Sequence, residues 1–181
     1  MTEGALDLTT DDDLVRVVVS RPDFDGWYAT AAPRLLTSLT LVTGDPHAAA
    51  DATAEAMARA LERWRRVSQM GAPEGWAYRV ALNVWKRQQR RTSLGHAVMR
   101  RTTPQSEAAV DGGLPVDVRA AIAALPRRQR EVLVLRLVLG LSQSETGALL
   151  DLADGTVAST LSDAKRAMRR LLSVDDPEVT S

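Results

Sequence analysis

Asn83 stands in the middle of a row of cations. On a helix turning about 100° per residue, Arg79, Asn83, Lys86, Arg87 and Arg90 fall on one narrow arc. The rest of the circumference is taken by Trp76, Ala77, Tyr78, Val80, Ala81, Leu82, Val84 and Trp85. Guanidinium and ammonium groups hold phosphates but carry little sequence information. A carboxamide presents a donor and an acceptor together and can read a base edge. Tyr78 and Trp85 lie close enough to stack on unpaired bases, whereas Trp76 shares its side with apolar neighbours and reads as core. The chemistry this spacing points to is non-covalent capture of a nucleic-acid strand.

A second constellation lies near the C-terminus. Ser142 followed three residues later by Glu145 is a capping box that starts a helix, Ser142–Leu150. A tight connection, Asp151–Ala153, leads into a second helix, Asp154–Leu172, and together they predict a helix-turn-helix. In such motifs the first residues of the second helix meet base edges in the major groove. Here these are Thr156, Val157, Ser159 and Thr160, followed by Lys165, Arg166, Arg169 and Arg170 at positions suited to backbone phosphates.

The remaining composition excludes most catalytic chemistry. The 181 residues include no Cys and only two His, His47 and His96, so thiolate chemistry, disulfides and a His-based metal centre are not expected. No Ser, Asp and His fall into a pattern of nucleophile, base and orienter, and neither an enzyme nor a cofactor is predicted. The most apolar run, Val132–Leu141, is interrupted by Arg136 and falls far short of the roughly 20 residues of a membrane span. The acidic start, MTEGALDLTTDDD, lacks the features of a signal peptide, which predicts a cytoplasmic protein.

Net charge is zero, yet its distribution is uneven. Residues 1–58 carry three bases and ten acids; residues 59–101 carry eleven bases and two acids. Residues 117–172 are again basic, with nine bases against six acids. Local basic surface, not the total, governs contact with a polyanion.

These segments predict an all-α chain of two small helical domains joined by a flexible linker. Residues 1–21 form an acidic N-terminal tail, read as disordered, and residues 22–91 the first domain. Residues 92–116, rich in Thr, Ser, Gly and Pro, are the linker; residues 117–172 are the helix-turn-helix domain and 173–181 an acidic C-terminal tail. Within the first domain the pattern predicts helices over Pro33–Val42, Pro46–Val67 and Pro73–Arg91. The middle one buries Ala49, Ala52, Ala56, Met57, Ala60, Leu61 and Trp64, and exposes Asp51, Glu55, Arg59, Glu62, Arg63 and Arg66. The second domain begins with helices over Val116–Leu125 and Arg127–Leu139. Val15–Val19 is apolar and β-branched but has no partner strand.

Three stretches, GDPHAAADATAEAMARALERW, PEGWAYRVALNVWKRQQRR and ALPRRQREVLVLRLVLGLSQSETGALLDLADGTVASTLSDAKRAMRRLL, together resemble an extracytoplasmic-function (ECF) sigma factor of bacterial RNA polymerase. The resemblance implies a transcription initiation factor whose first domain docks on the clamp coiled coil of core RNA polymerase and opens the −10 element. It implies that the second domain reads the −35 element while resting on the polymerase flap, with promoter DNA and core polymerase as partners and an anti-sigma protein as a further partner class. Carried over by position, it assigns Asp51, Glu55 and Arg59 to the polymerase-facing surface, the arc around Asn83 to the −10 strand, and the helix from Thr156 to the −35 groove.

The chain departs from the family pattern at four places. Ala52, Thr53 and Ala54 replace a bulky apolar pair and Gln; Arg87 replaces an acid; Asp151 stands where Gly is usual; and Ala158, Thr160 and Asp163 stand where cations are usual. Fewer phosphate contacts predict weak −35 binding outside the holoenzyme. Two other classes share parts of the pattern. One is a helix-turn-helix regulator, which would not need the Asn83 helix; the other is a polymerase-binding adaptor that has lost autonomous promoter recognition.

Overall fold

The structure, a computed structural model, describes residues 24–95 and 113–173. The expectations for the two tails, for Val15–Val19 and for most of the linker lie outside those residues. Among the described residues all regular structure is helical: α1 (Phe24–Thr43), α2 (Pro46–Glu62), α3 (Trp64–Val67), α4 (Pro73–Gly95), α5 (Val116–Ala124), α6 (Arg127–Leu137), α7 (Gln143–Leu150) and α8 (Asp154–Ser173).

α1 begins nine residues before the expected Pro33, which lies inside it. Phe24, Ala31, Leu35, Ser38 and Leu39 make its buried stripe, at helical spacing. Pro33 is exposed, so the carbonyl of the equally exposed Ala29, left without its helical donor, can bond to water. The first turns are held by aromatic packing that the interior Gly26 and Pro33 hide from a propensity reading. Phe24 meets Trp64 edge-on with ring centroids 5.2 Å apart, Trp27 lies 4.9 Å from Trp64, and the Trp27 indole N–H donates to Glu74 at 2.9 Å.

Gly44, at φ 72°, ends α1 in the left-handed conformation that glycine adopts without steric cost. Asp45 then caps α2, its carboxylate accepting from the Ala48 N–H at 2.9 Å, with Pro46 in the first turn. The expected single helix to Val67 is broken at Arg63 (φ −114°, ψ 19°). The break turns Trp64 toward Phe24 and Trp27, and it leaves Leu61, expected in the core, exposed. Thr53 is buried in the stripe with Ala49, Ala52, Ala56, Met57 and Ala60. α4 runs to Gly95, four residues past the expected Arg91.

In the second group, α6 ends near its expected limit, with Gly140 at φ 82° after it. The capping box is formed: the Ser142 hydroxyl accepts from the Glu145 N–H at 3.2 Å, and the Glu145 carboxylate from the Ser142 N–H at 2.6 Å. Asp151 adopts the left-handed conformation (φ 57°, ψ 54°), which its short polar side chain tolerates, so glycine is not required there. Glycine is required at Gly147, where a Cβ would sit 2.7 Å from the Leu152 carbonyl oxygen. Gly147→Ala is therefore expected to lower stability by about 1–3 kcal/mol through overpacking of backbone, seen as a lower Tm in calorimetry; an unchanged Tm would contradict this.

The helices share three cores. One joins Leu35 and Leu39 of α1, Ala52, Ala56 and Met57 of α2 and Ala77, Tyr78 and Ala81 of α4 with Leu135, Leu139 and Leu141 from α6 and the segment after it. A second gathers Ile122, Leu125, Leu133, Val134 and Ala164, against which Leu41 and Val42 of α1 also pack. The third holds Phe24, Ala60, Trp64 and Val67. The two helical groups are thus in direct apolar contact, with full burial of each leucine or valine worth about 1.5–3 kcal/mol.

Candidate nucleic-acid interface

α4 presents the arc on its outer face. Arg79, Asn83, Lys86, Arg87 and Arg90 are all exposed, while Ala77, Tyr78 and Ala81 on the opposite side are buried. Burial of that side against α1 and α2 fixes the rotation of the helix and so aims the arc outward. Trp85 is half-buried and packs against the core. Tyr78 is fully buried at 1% exposure, so its ring is no surface platform in this arrangement. Burial, with Glu131 adding to it, pushes the Tyr78 phenol far above its ordinary range, and it stays protonated at any physiological pH.

Asp51, Glu55 and Arg59 lie on the outer face of α2, with Glu55 and Arg59 paired at 2.7 Å. Of the arc, Arg87 faces the same groove as these three residues. Asp51, Glu55 and Arg59 form one wall of an open groove of about 630 Å³, and Val84, Arg87, Gln88 and Arg91 of α4 form the other. Small residues at Ala54 and Ala58 leave this space open. Of the three departures on α2, Ala52 and Thr53 are buried and act on helix packing; Ala54 alone faces the groove. The groove was missed because periodicity assigns residues to faces of one helix but not to the gap between two.

On α8, Thr156 and Ser159 are exposed and Thr160 is half-buried. The Ser159 hydroxyl donates back to the Thr156 carbonyl at 3.1 Å. Val157 does not share that surface: it is fully buried, and a Cβ on Gly147 would meet it at 3.7 Å. A branched apolar side chain one turn into a helix that packs on α6 and α7 is drawn inward, and with Leu161, Ala164 and Met168 it forms the stripe that holds α8. Lys165 and Arg166 are exposed, Arg166 pairing with Asp163 at 3.1 Å. Arg169 and Arg170 are exposed farther along the same helix. Gln143 ties the two helices of the motif by donating to the Asp154 carbonyl at 2.9 Å.

Among the described residues no group of three or more His, Asp or Glu could hold a metal ion, and no helix is long and apolar enough to cross a membrane.

Comparison with known proteins matches residues 27–94 to the family model for sigma-70 region 2 and residues 116–168 to that for sigma-70 region 4. The RNA polymerase sigma-E factor of Streptomyces coelicolor is 31% identical over 160 residues, covering 85% of this chain and 88% of that protein. The ECF RNA polymerase sigma factor SigE of Mycolicibacterium smegmatis is 27% identical over 87% of this chain and 64% of its own length. Among solved structures, the sigma factor RpoE of Bartonella quintana in complex with the anti-sigma factor NepR matches with a TM-score of 0.66 at 22% identity, over 84% of this chain and 98% of that one. CnrH in complex with the cytosolic domain of CnrY matches with a TM-score of 0.53 at 20% identity, over 84% of this chain and 88% of that one.

Proposed function

The chain belongs to the ECF group of RNA polymerase sigma factors, non-enzymatic proteins that bind core polymerase and direct it to promoters, and we propose how its own residues divide that work. The −10 strand runs along α4, where Arg79, Lys86, Arg87 and Arg90 hold phosphates and Asn83 reads a base. The observation that carries this is an exposed amide set among cations on a helix whose other side is buried. Thr156, Ser159 and Thr160 approach the −35 base edges, with Lys165 and Arg166 near the backbone. Val157 supports that helix from inside. Asp51, Glu55 and Arg59 meet core polymerase through its clamp coiled coil, with the flap taking the second domain. The protein acts in the cytoplasm, where its partners are. The similar sigma factor solved in complex with the anti-sigma factor NepR supports an anti-sigma protein as a further partner class.

Photo-crosslinkers placed at Lys86 and at Thr156, in holoenzyme on a responsive promoter, test this division. Crosslinks from position 86 are expected near −10 and from position 156 near −35; the reverse pattern would contradict it. For the polymerase surface, Asp51→Arg is expected to weaken core binding at least about fivefold with an unchanged Tm. Equal affinity would remove α2 from that interface.

A further inference from the structure

The turn after α2 carries a basic cluster that the roles of α2, α4 and α8 leave unused. In α3, Trp64 and Val67 are buried, and this turns Arg65 and Arg66 outward together with Arg63 just before them. The backbone is closed there, the Arg66 N–H donating to the Arg63 carbonyl at 2.9 Å and the Val67 N–H to the same oxygen at 3.0 Å. Three exposed guanidiniums thus project from a single turn. Among the described residues none of them pairs with a carboxylate; Glu55, on the preceding helix, is taken by Arg59. Clustered cations without an internal counter-charge favour an anionic partner.

The chain itself carries one. Residues 1–13 contain Glu3, Asp7, Asp11, Asp12 and Asp13 and no Lys or Arg. The chain enters the described structure at Phe24, whose ring meets that of Trp64 with centroids 5.2 Å apart. The acidic segment is therefore tethered beside the basic turn. The stretch from Asp13 to Phe24 spans about 40 Å when extended, more than enough to bring the acids onto Arg63, Arg65 and Arg66. A tether of this length holds them at a local concentration of about millimolar. Between the acids and Phe24 lie Val15, Val17, Val18 and Val19, and the surface beside Phe24 includes Tyr28, 47% exposed with its ring 5.8 Å from that of Phe24.

We propose that Arg63, Arg65 and Arg66 form an anion-docking surface whose resident occupant is the chain's own acidic segment, Glu3–Asp13, with the valines after it resting on Tyr28. Exposed ion pairs are individually weak and screened by salt, so the contact holds through the tether. The segment acts as an internal competitor, displaced by a polyanion that binds the turn tightly and discouraging those that bind it loosely. This docking is independent of how α4 meets DNA.

The chain has no cysteine, so a single one can be introduced cleanly. Thr10→Cys in the full chain, carrying a nitroxide, is expected to broaden the amide resonances of Arg65 and Arg66. The broadening should vanish in about 1 M salt, where the screening length is about 3 Å, and when Asp11, Asp12 and Asp13 are all replaced by Asn. A mixture of nitroxide-bearing chain with separate, isotope-labelled chain is expected to show none. A random-sequence single strand is the second probe. At low salt the Asn variant is expected to bind it at least about twofold more tightly than wild type, and Arg65→Gln with Arg66→Gln should abolish that difference.

Unbroadened Arg65 and Arg66 resonances would overturn the proposal. Broadening in the mixture would overturn it in favour of docking on a second copy of the chain. Broadening within one chain, with equal strand binding by the acidic and neutral segments, would keep the docking and overturn the competition. A gain in strand binding that persists in the Arg65→Gln, Arg66→Gln background would place the segment on another surface.

Discussion

Asn83→Ala is expected to leave the protein bound to core polymerase yet cut promoter opening by about fivefold to 150-fold. The side chain is exposed, so its truncation creates no cavity and removes no buried partner. What it removes is a paired donor and acceptor at a base edge, worth about 1–3 kcal/mol of discrimination, or roughly fivefold to 150-fold in an equilibrium. Asn83→Asp keeps the shape but replaces the donor with a charge that repels phosphate, and should do at least as badly. Open-complex formation by footprinting, set beside core affinity, separates the two effects. An equal loss of both would place Asn83 in the polymerase interface instead.

Neutralising Lys86 and Arg90 together should change how transcription responds to salt. Each phosphate contact to single-stranded DNA contributes about 0.7 to the slope of log binding against log salt, so Lys86→Gln with Arg90→Gln should flatten that slope by about 1.4. Binding at low salt should drop steeply and the difference should narrow as salt rises. Both side chains are exposed on the arc. An unchanged slope would mean that the arc does not grip DNA.

Much of this was legible in the residues because it depends on local pattern. The all-helical fold follows from apolar periodicity. The Ser142 capping box and the left-handed turn at Asp151 follow from side chains bonding to, or tolerating, their own backbone. The exposure of the arc follows from the apolar bulk of the rest of α4.

What was not legible depends on partners distant in sequence. The start of α1 is set by Phe24 and Trp27 meeting Trp64, about forty residues away, across an Arg63 break that no propensity marks. Val157 falls among the base-facing positions by spacing alone; its full burial beside Gly147 is set by α8 packing on α6 and α7. The docking of the two domains was invisible for the same reason. A stripe containing Leu135 and Leu139 announces burial without saying against what, and Arg34 gives no sign that its partners are carbonyls more than a hundred residues away.

This chain confers promoter selection on RNA polymerase. The most direct measurement is run-off transcription by core bacterial polymerase on pooled genomic fragments, with and without the protein. Discrete new transcripts that require the protein, weakened by Asn83→Ala and sharing an upstream sequence, are expected. With polymerase and templates shown to be active, a transcript pattern unchanged by the protein would contradict it.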